Sequence, residues 1–301
     1  MQIPLAARAP FAFEQSLAFL RRFPPVRDGV IIGADAVTAA LAIGDRAVPF
    51  TVRGRGADVT VEVADTLHPA AAALVVERAR AWLSADDDLS GFLAAAAGDD
   101  PRFRAIVELL HGLHHVRFLT LAEITVYAVL MQRTPIAQAA RARARVAARF
   151  GPAVVAGGVT LHAFPAFDAL APLEAADYRE AVRLPRKADL LPGVVRGVAA
   201  IGEAFLRGAP YAEARAALLA IPGIGPFSAA AILLRGLGRM DDVPLEGAQF
   251  AGPARAVYGR AFDPAAIRRR YGAAIGYWSY YLKAGAPRLA PDGARAALHA
   301  G

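Results

Sequence analysis

The chain has 301 residues, 56% of them hydrophobic and 20% charged, with a formal net charge of +7 and no cysteine. Such a chain has room for roughly two or three domains with real cores and is not disordered. The missing cysteines exclude disulfides, cysteine-ligated zinc and iron–sulfur clusters. The basic excess points to a polyanion, nucleic acid being the commonest, although an Arg- and Ala-rich composition also arises without such a partner.

In chain order, the opening MQIPLAARAP lacks the apolar core of a signal peptide. Short β-prone runs follow at Ala36–Ile43, Ala47–Arg53 and Asp58–Val63, separated by turn signals at Gly44-Asp45 and Gly54–Ala57. Val59, Val61 and Val63 alternate with polar residues, the period of a half-buried strand. Pro69 suits the first turn of a helix reaching about Leu83. Residues 1–88 therefore read as an α+β domain, a small antiparallel sheet with helices on one face, ending at the acidic break Asp86–Asp88.

From residue 89 to 301 the pattern is helical, so the chain as a whole is mainly α. Helices are expected at Leu89–Ala97, Pro101–Leu110, Leu121–Met131, Ile136–Phe150, Phe164–Ala171, Ala175–Val182 and Lys187–Phe205, then at Tyr211–Ala220, Ser228–Gly236, Gly252–Tyr258, Pro264–Tyr271 and Ala273–Ala284. Gly151-Pro152, Gly157-Gly158, Pro172 and Gly208–Pro210 punctuate them. Leu119–Met131, the most apolar stretch, is too short to span a bilayer and carries Glu123. A cytoplasmic monomer without membrane contact is expected. His111 and His115 have the i, i+4 spacing of a helical zinc pair, but no acid or thiol beyond Glu108 completes a set. No side-chain metal site is expected, and the histidines read as a helix-end cluster near DNA or as plain surface.

The informative segment is Leu218–Ala230, LLAIPGIGPFSAA. An apolar helix ends, Pro222–Pro226 makes a tight turn, and a second helix begins. Gly223 and Gly225 permit positive φ and strip side chains from the turn. The backbone N–H groups of Gly223, Ile224 and Gly225 are then available to an anion at a helix start, phosphate being the natural one. Ser228 is placed to cap that helix or donate to a phosphate oxygen, and Phe227 lies on the same edge. A bare Pro-Gly-x-Gly turn suits any helical hairpin; the longer Leu-x-x-Ile-Pro-Gly-Ile-Gly-x-x-Ser-Ala pattern favours DNA.

This segment resembles the hairpin of the helix-hairpin-helix DNA glycosylase superfamily. Leu121–Gly151, Pro165–Ala199 with its Leu184-Pro185-Arg186-Lys187 turn, and the α/β region over 10–85 are similar, in order and length, to the bacterial 3-methyladenine DNA glycosylase II family. The resemblance implies two helical subdomains around a cleft. It also implies a base-excision repair enzyme, associated with the nucleoid, that flips an alkylated purine of the 3-methyladenine or 7-methylguanine type from duplex DNA and hydrolyses its N-glycosidic bond. Gln132 and Arg133 stand where that family carries its intercalating side chain. A sodium or potassium ion at the carbonyls of Ile221 and Ile224 is the cofactor it allows. Phe227 stands where strand-nicking members carry a lysine, and the chain's only lysines are Lys187 and Lys283, so a monofunctional enzyme is implied.

The family pattern ends in a catalytic aspartate, which here falls on Gly247 or Ala248. Glu246 is the nearest carboxylate and the candidate to stabilise the oxocarbenium-like sugar or activate water. Asp241 and Asp242 read as a solvated or capping pair. Tyr127, Tyr271, Tyr277 and Trp278 are the candidate walls of the base pocket, since flipped bases stack on aromatic faces. Because the aspartate is missing, a lesion-binding protein without catalysis is the alternative.

Overall fold

The computed structural model describes residues 1–245 and 247–289. Strands β1 (Gln2–Pro4), β2 (Ile31–Ile32), β3 (Ala36–Ile43), β4 (Arg46–Arg55) and β5 (Asp58–Glu62) form one antiparallel sheet in the order β1-β5-β4-β3-β2. Val37 pairs with Val52 and Val52 with Val61, and all three are fully buried. Alternation thus sends one set of valines into the core, as a two-residue period requires. β4 continues past its expected end at Arg53 because Gly54 pairs with Val59, where a Cβ would lie 2.1 Å from the Asp58 carbonyl. β1 and β2 were not anticipated: runs of three and two residues carry no periodicity.

Between β1 and β2 run helices α1 (Phe13–Arg21) and α2 (Pro24–Arg27), also unanticipated; α3 (Pro69–Trp82) follows the sheet, with Pro69 at its first position. Helices α4 (Ser90–Ala97), α5 (Pro101–Leu109), α6 (Leu121–Leu130) and α7 (Ile136–Phe150) come next. Thr120 starts α6 by accepting the Glu123 N–H at 3.1 Å. A hairpin of β6 (Ala153–Ala156) and β7 (Val159–His162) then interrupts the helices. Its turn is the Gly157-Gly158 pair, both at positive φ, which reads from sequence only as a breaker. Leu161 and Ala163 pack it onto Ala40 of the sheet.

The chain continues through α8 (Phe167–Leu170), α9 (Ala175–Val182), α10 (Pro185–Ile201), α11 (Glu203–Gly208), α12 (Tyr211–Leu219) and α13 (Pro226–Ala231). The long helix expected over Lys187–Phe205 is split by Gly202, at φ +82°. α13 runs directly into a π-helical turn at Ile232–Gly236. Last come α14 (Ala248–Tyr258), α15 (Pro264–Tyr271) and α16 (Ile275–Leu289). Among the described residues no helix is long and apolar enough to cross a membrane.

Two apolar cores organise these elements. One joins the buried face of the sheet to α3, α6, α7, α9, α10, α12 and α13. The other joins α4 and α5 to the segment from Val243 and to α14–α16. Phe19, at the end of α1, packs against both and so marks the seam between them.

Candidate active site

The Pro222–Pro226 turn links α12 to α13 as expected. Gly223 takes φ +98°, and an added Cβ would also meet Leu190 and Val194 at 3.2 Å. Glycine is therefore required twice over, by conformation and by packing. The Ile224 N–H closes the turn onto Ile221 O at 3.0 Å, which removes it from the expected phosphate donors. The amides of Gly223 and Gly225 make no such turn bond among the described contacts, and they remain for an outside acceptor at the start of α13.

Ser228 and Gln132 have roles other than those expected. Ser228 is 1% exposed and donates its hydroxyl proton to Ala128 O at 3.1 Å. As the third residue of α13 it faces α6 rather than solvent. Gln132 Nε2 donates to Gly223 O at 2.8 Å and to Ser228 Oγ at 3.0 Å, while its Oε1 accepts from Lys187 Nζ at 3.3 Å. Its amide is spent inside the protein, tying the α6–α7 turn to the hairpin. The next residue, Arg133, is exposed at φ +49° and makes no ion pair among the described residues. Phe227 is 42% exposed on the first turn of α13. Burial and the Arg133 charge pull the Lys187 ammonium below its ordinary value. Gln132→Ala is expected to weaken binding to an abasic-site duplex roughly tenfold, the worth of about one or two neutral hydrogen bonds. Fluorescence anisotropy titration reads this, and an affinity within twofold of wild type would show that the hairpin holds itself.

The four expected pocket aromatics are packed within the two cores. Tyr127 packs its ring on Phe118, centroids 5.2 Å apart, inside the first core, and burial raises its phenol to about 12. Tyr271, Tyr277 and Trp278 belong to the second core. Tyr271 donates to Asp99, Tyr277 to Asp87 at 2.6 Å, and Trp278 Nε1 to Tyr258 Oη at 2.8 Å. Their faces meet Phe92, Phe103 and Phe262. Tyr277 and Trp278, adjacent on α16, point in different directions, and both are buried.

The aromatics at the seam are Phe19, Phe23 and Tyr280. The Arg235 guanidinium stands over all three rings, at 5.4, 4.5 and 5.7 Å from their centroids. Arg235 sits in the π turn that ends the hairpin's second helix, a local geometry frequent at functional positions. Its NH1 is 3.3 Å from His115 Nε2, so that nitrogen accepts and the ring proton lies on Nδ1. His114 and His115 are buried, not a surface cluster: α5 ends at Leu109, and His114 bridges Ser84 O and Pro10 O at 2.6 and 2.9 Å. Burial, with Arg235 and Arg117 beside it, holds His115 well below its ordinary value. Lys283 follows Tyr280 by one turn of α16, its Nζ 5.7 Å from the Phe250 ring centroid. Sequence reading missed Phe19, Phe23, Arg235 and Lys283; a lone cation within Ile232–Leu237 was the signal available.

The loop after Leu237 passes from the first core, which holds Leu237, to the second, which holds Val243 and Leu245. Gly276 N–H donates to Met240 O at 2.9 Å, and Arg239 reaches Ala209 O at 2.9 Å. Asp241 accepts from Arg239 Nε at 3.0 Å and Asp242 from Arg268, so both acids are ion-paired rather than merely solvated. Val243 and Leu245 are buried in the second core, and Gly247 N–H donates to Pro244 O at 2.9 Å. α14 begins at Ala248, a turn earlier than expected, so Gly247 is its N-cap. Glu246 lies outside the described residues; the residues on either side of it are anchored.

No family profile matches the chain. Over 255 residues it is 28% identical to the probable bifunctional transcriptional activator/DNA repair enzyme AlkA of Mycobacterium tuberculosis, covering 81% of this chain and 48% of that protein. Over 163 residues it is 26% identical to the DNA-3-methyladenine glycosylase of Bacillus subtilis, covering 54% of each. The chain thus spans about half the length of the curated relatives it matches. Among solved structures, the 3-methyladenine DNA-glycosylase from Archaeoglobus fulgidus has a TM-score of 0.75 at 20% identity, covering 94% of this chain and 97% of that one.

Proposed function

We propose, for a chain that has the helix-hairpin-helix glycosylase fold and resembles the bacterial 3-methyladenine DNA glycosylase II family, that it excises damaged purines of the alkylated class from duplex DNA. The observation that carries this reading is the hairpin, with the Gly223 and Gly225 amides at the start of α13 and exposed Arg133 beside them. Amides and a cation there grip phosphate without reading sequence. Exposed Phe227 and Arg133 are the side chains placed to support an opened stack. Extrusion of the base costs roughly a few kcal/mol, least where pairing is already weakened. The freed base enters the seam, and Glu246 stabilises the sugar cation left behind.

Removal of the base without strand cleavage belongs to this proposal, because Phe227 is no nucleophile and the hairpin carries no lysine. A sodium or potassium ion at the turn belongs to it as well. Backbone carbonyls are the ligands such ions take, and Ile221 O, after accepting the Ile224 N–H, keeps a second lone pair. When bound, the ion would add positive charge beside the phosphate-facing amides.

The test is release of free base and formation of abasic sites when the wild type is mixed with alkylated duplex DNA under single-turnover conditions. Release supports the enzyme. Tight lesion binding with no release supports the other reading, a damage-binding protein on the same fold, which the absent aspartate favours.

A further inference from the structure

We infer that the exposed arginines running from the hairpin along α7 to the α9–α10 corner form a track for the phosphates of duplex DNA beyond the damaged base. This rests on the DNA-binding part of the glycosylase reading and lengthens its contact surface. Residues 124–167 hold five arginines and no acid. Two of the five are paired within the fold, Arg143 with Glu123 and Arg149 with Glu180 at 2.7 Å. A third, Arg145, donates Nε to Ala181 O and NH2 to Val182 O, both at 2.6 Å. Arg133 and Arg141 are left exposed, with no ion pair among the described residues.

The same contacts place the arginines of the neighbouring corner. Gln132, beside Arg133, binds both Gly223 O and Lys187 Nζ, so the starts of α7 and α10 meet at the hairpin. Arg145 holds the last carbonyls of α9, just before Arg183, and follows Arg141 by one helical turn. Arg183, the C-cap of α9, and Arg186, in the first turn of α10, are exposed and likewise form no ion pair among the described residues. The acids of this corner are engaged elsewhere: Glu180 with Arg149, Asp189 with Arg179, and Asp177 with the Glu174 N–H. The four open guanidiniums thus lie along one run of contacts leading away from the hairpin.

Backbone conformation marks two of the four. Among the described residues only three that are not glycine take positive φ, and Arg133 at +49° and Arg183 at +56° are two of them. A helix end in the left-handed region ordinarily takes glycine or asparagine. A strained position held by a larger residue points to what its side chain does. Phosphate is the partner that fits, since guanidiniums fork onto its oxygens without reading bases. From Ile136 to Arg145 α7 rises about 13 Å, the length of roughly four base pairs.

The experiment measures Kd for an undamaged duplex of about 20 base pairs at salt concentrations from about 50 to 200 mM. Wild type is compared with Arg141→Gln, Arg183→Gly and the double variant. Arg46→Gln, which removes an exposed arginine at the start of β4, is the control. Each track variant should lower the salt slope by about one, and the double variant by about two. The double variant's affinity deficit should then narrow about tenfold across that range. Arg46→Gln should keep the wild-type slope. Arg183→Gly should melt no lower than wild type, since glycine takes φ +56° without strain, which separates lost binding from lost folding. A double-variant slope equal to wild type, or the same fall in Arg46→Gln, overturns the inference. An unmoved DNA slope with lost affinity for polyglutamate overturns it too, and assigns the arginines to an acidic protein. If the slopes shift as stated but alkylated DNA releases no base, the track stands and the glycosylase reading falls.

Discussion

Glu246→Gln is expected to lower single-turnover base release by about 10²–10⁴-fold while leaving abasic-site binding within twofold of wild type. Glutamine keeps the shape of the side chain and removes its charge. Cleavage of the N-glycosidic bond leaves positive charge on the sugar, and an anion fixed nearby lowers that barrier only if it is already in place. The neighbours of Glu246 are themselves held: Leu245 is buried in the second core, and the Gly247 N–H is bonded to Pro244 O at 2.9 Å. Asp241→Asn and Asp242→Asn are the controls. Their carboxylates are taken by Arg239 and Arg268, so neither variant should lose more than a few-fold. Full activity in Glu246→Gln, or a large loss in either control, would move the carboxylate role to another residue.

Glu123→Ala is expected to cost about 3–5 kcal/mol of stability, because it strands a buried guanidinium. The Glu123 and Arg143 side chains are 3% and 7% exposed and form an ion pair between α6 and α7. Arg143 also lies 5.5 Å over the Phe164 ring, and its Nε has no partner. Gly29 sits against the guanidinium, where a Cβ would come within 3.0 Å of NH1. Without Glu123 no other carboxylate reaches it among the described contacts. At roughly 2–4 °C per kcal/mol for a chain of this order of size, the melting temperature should fall by about 6–20 °C. Replacing both partners by apolar residues, Glu123→Leu with Arg143→Met, should recover most of the loss. Equal stability of Glu123→Ala and wild type in urea titration would mean that water reaches Arg143.

Sequence alone carries the sheet and the hairpin well, for a local reason. Val59, Val61 and Val63 repeat every two residues, and Pro-Gly-Ile-Gly has few backbone alternatives, so both signals are complete within a few positions. It fails where the structure depends on distant partners. Tyr277, Trp278 and Tyr280 are adjacent in sequence and equally aromatic. Only the arrival of Asp87, Tyr258 and Phe19 from remote elements decides which are core and which line the seam. Ser228 reads as a phosphate ligand and Gln132 as a residue at the intercalating position because their partners, Ala128 O and Gly223 O, lie 100 and 91 residues away. The β6–β7 hairpin was hidden by its brevity, four residues a strand.

The second core has an odd pedigree in time. Its first half, Leu89 to Leu113, leaves the ribosome about 130 residues ahead of its second half, which starts at Val243. At about 5–20 residues per second that is a wait on the order of ten seconds. During it, Phe92, Phe103 and Ile106, each no more than 1% exposed in the finished protein, lack their partners on α14–α16. The nascent α4–α5 pair is therefore a natural client for a chaperone. The seam itself is the last thing built, since Tyr280 and Lys283 reach Arg235 and Phe250 only when α16 docks.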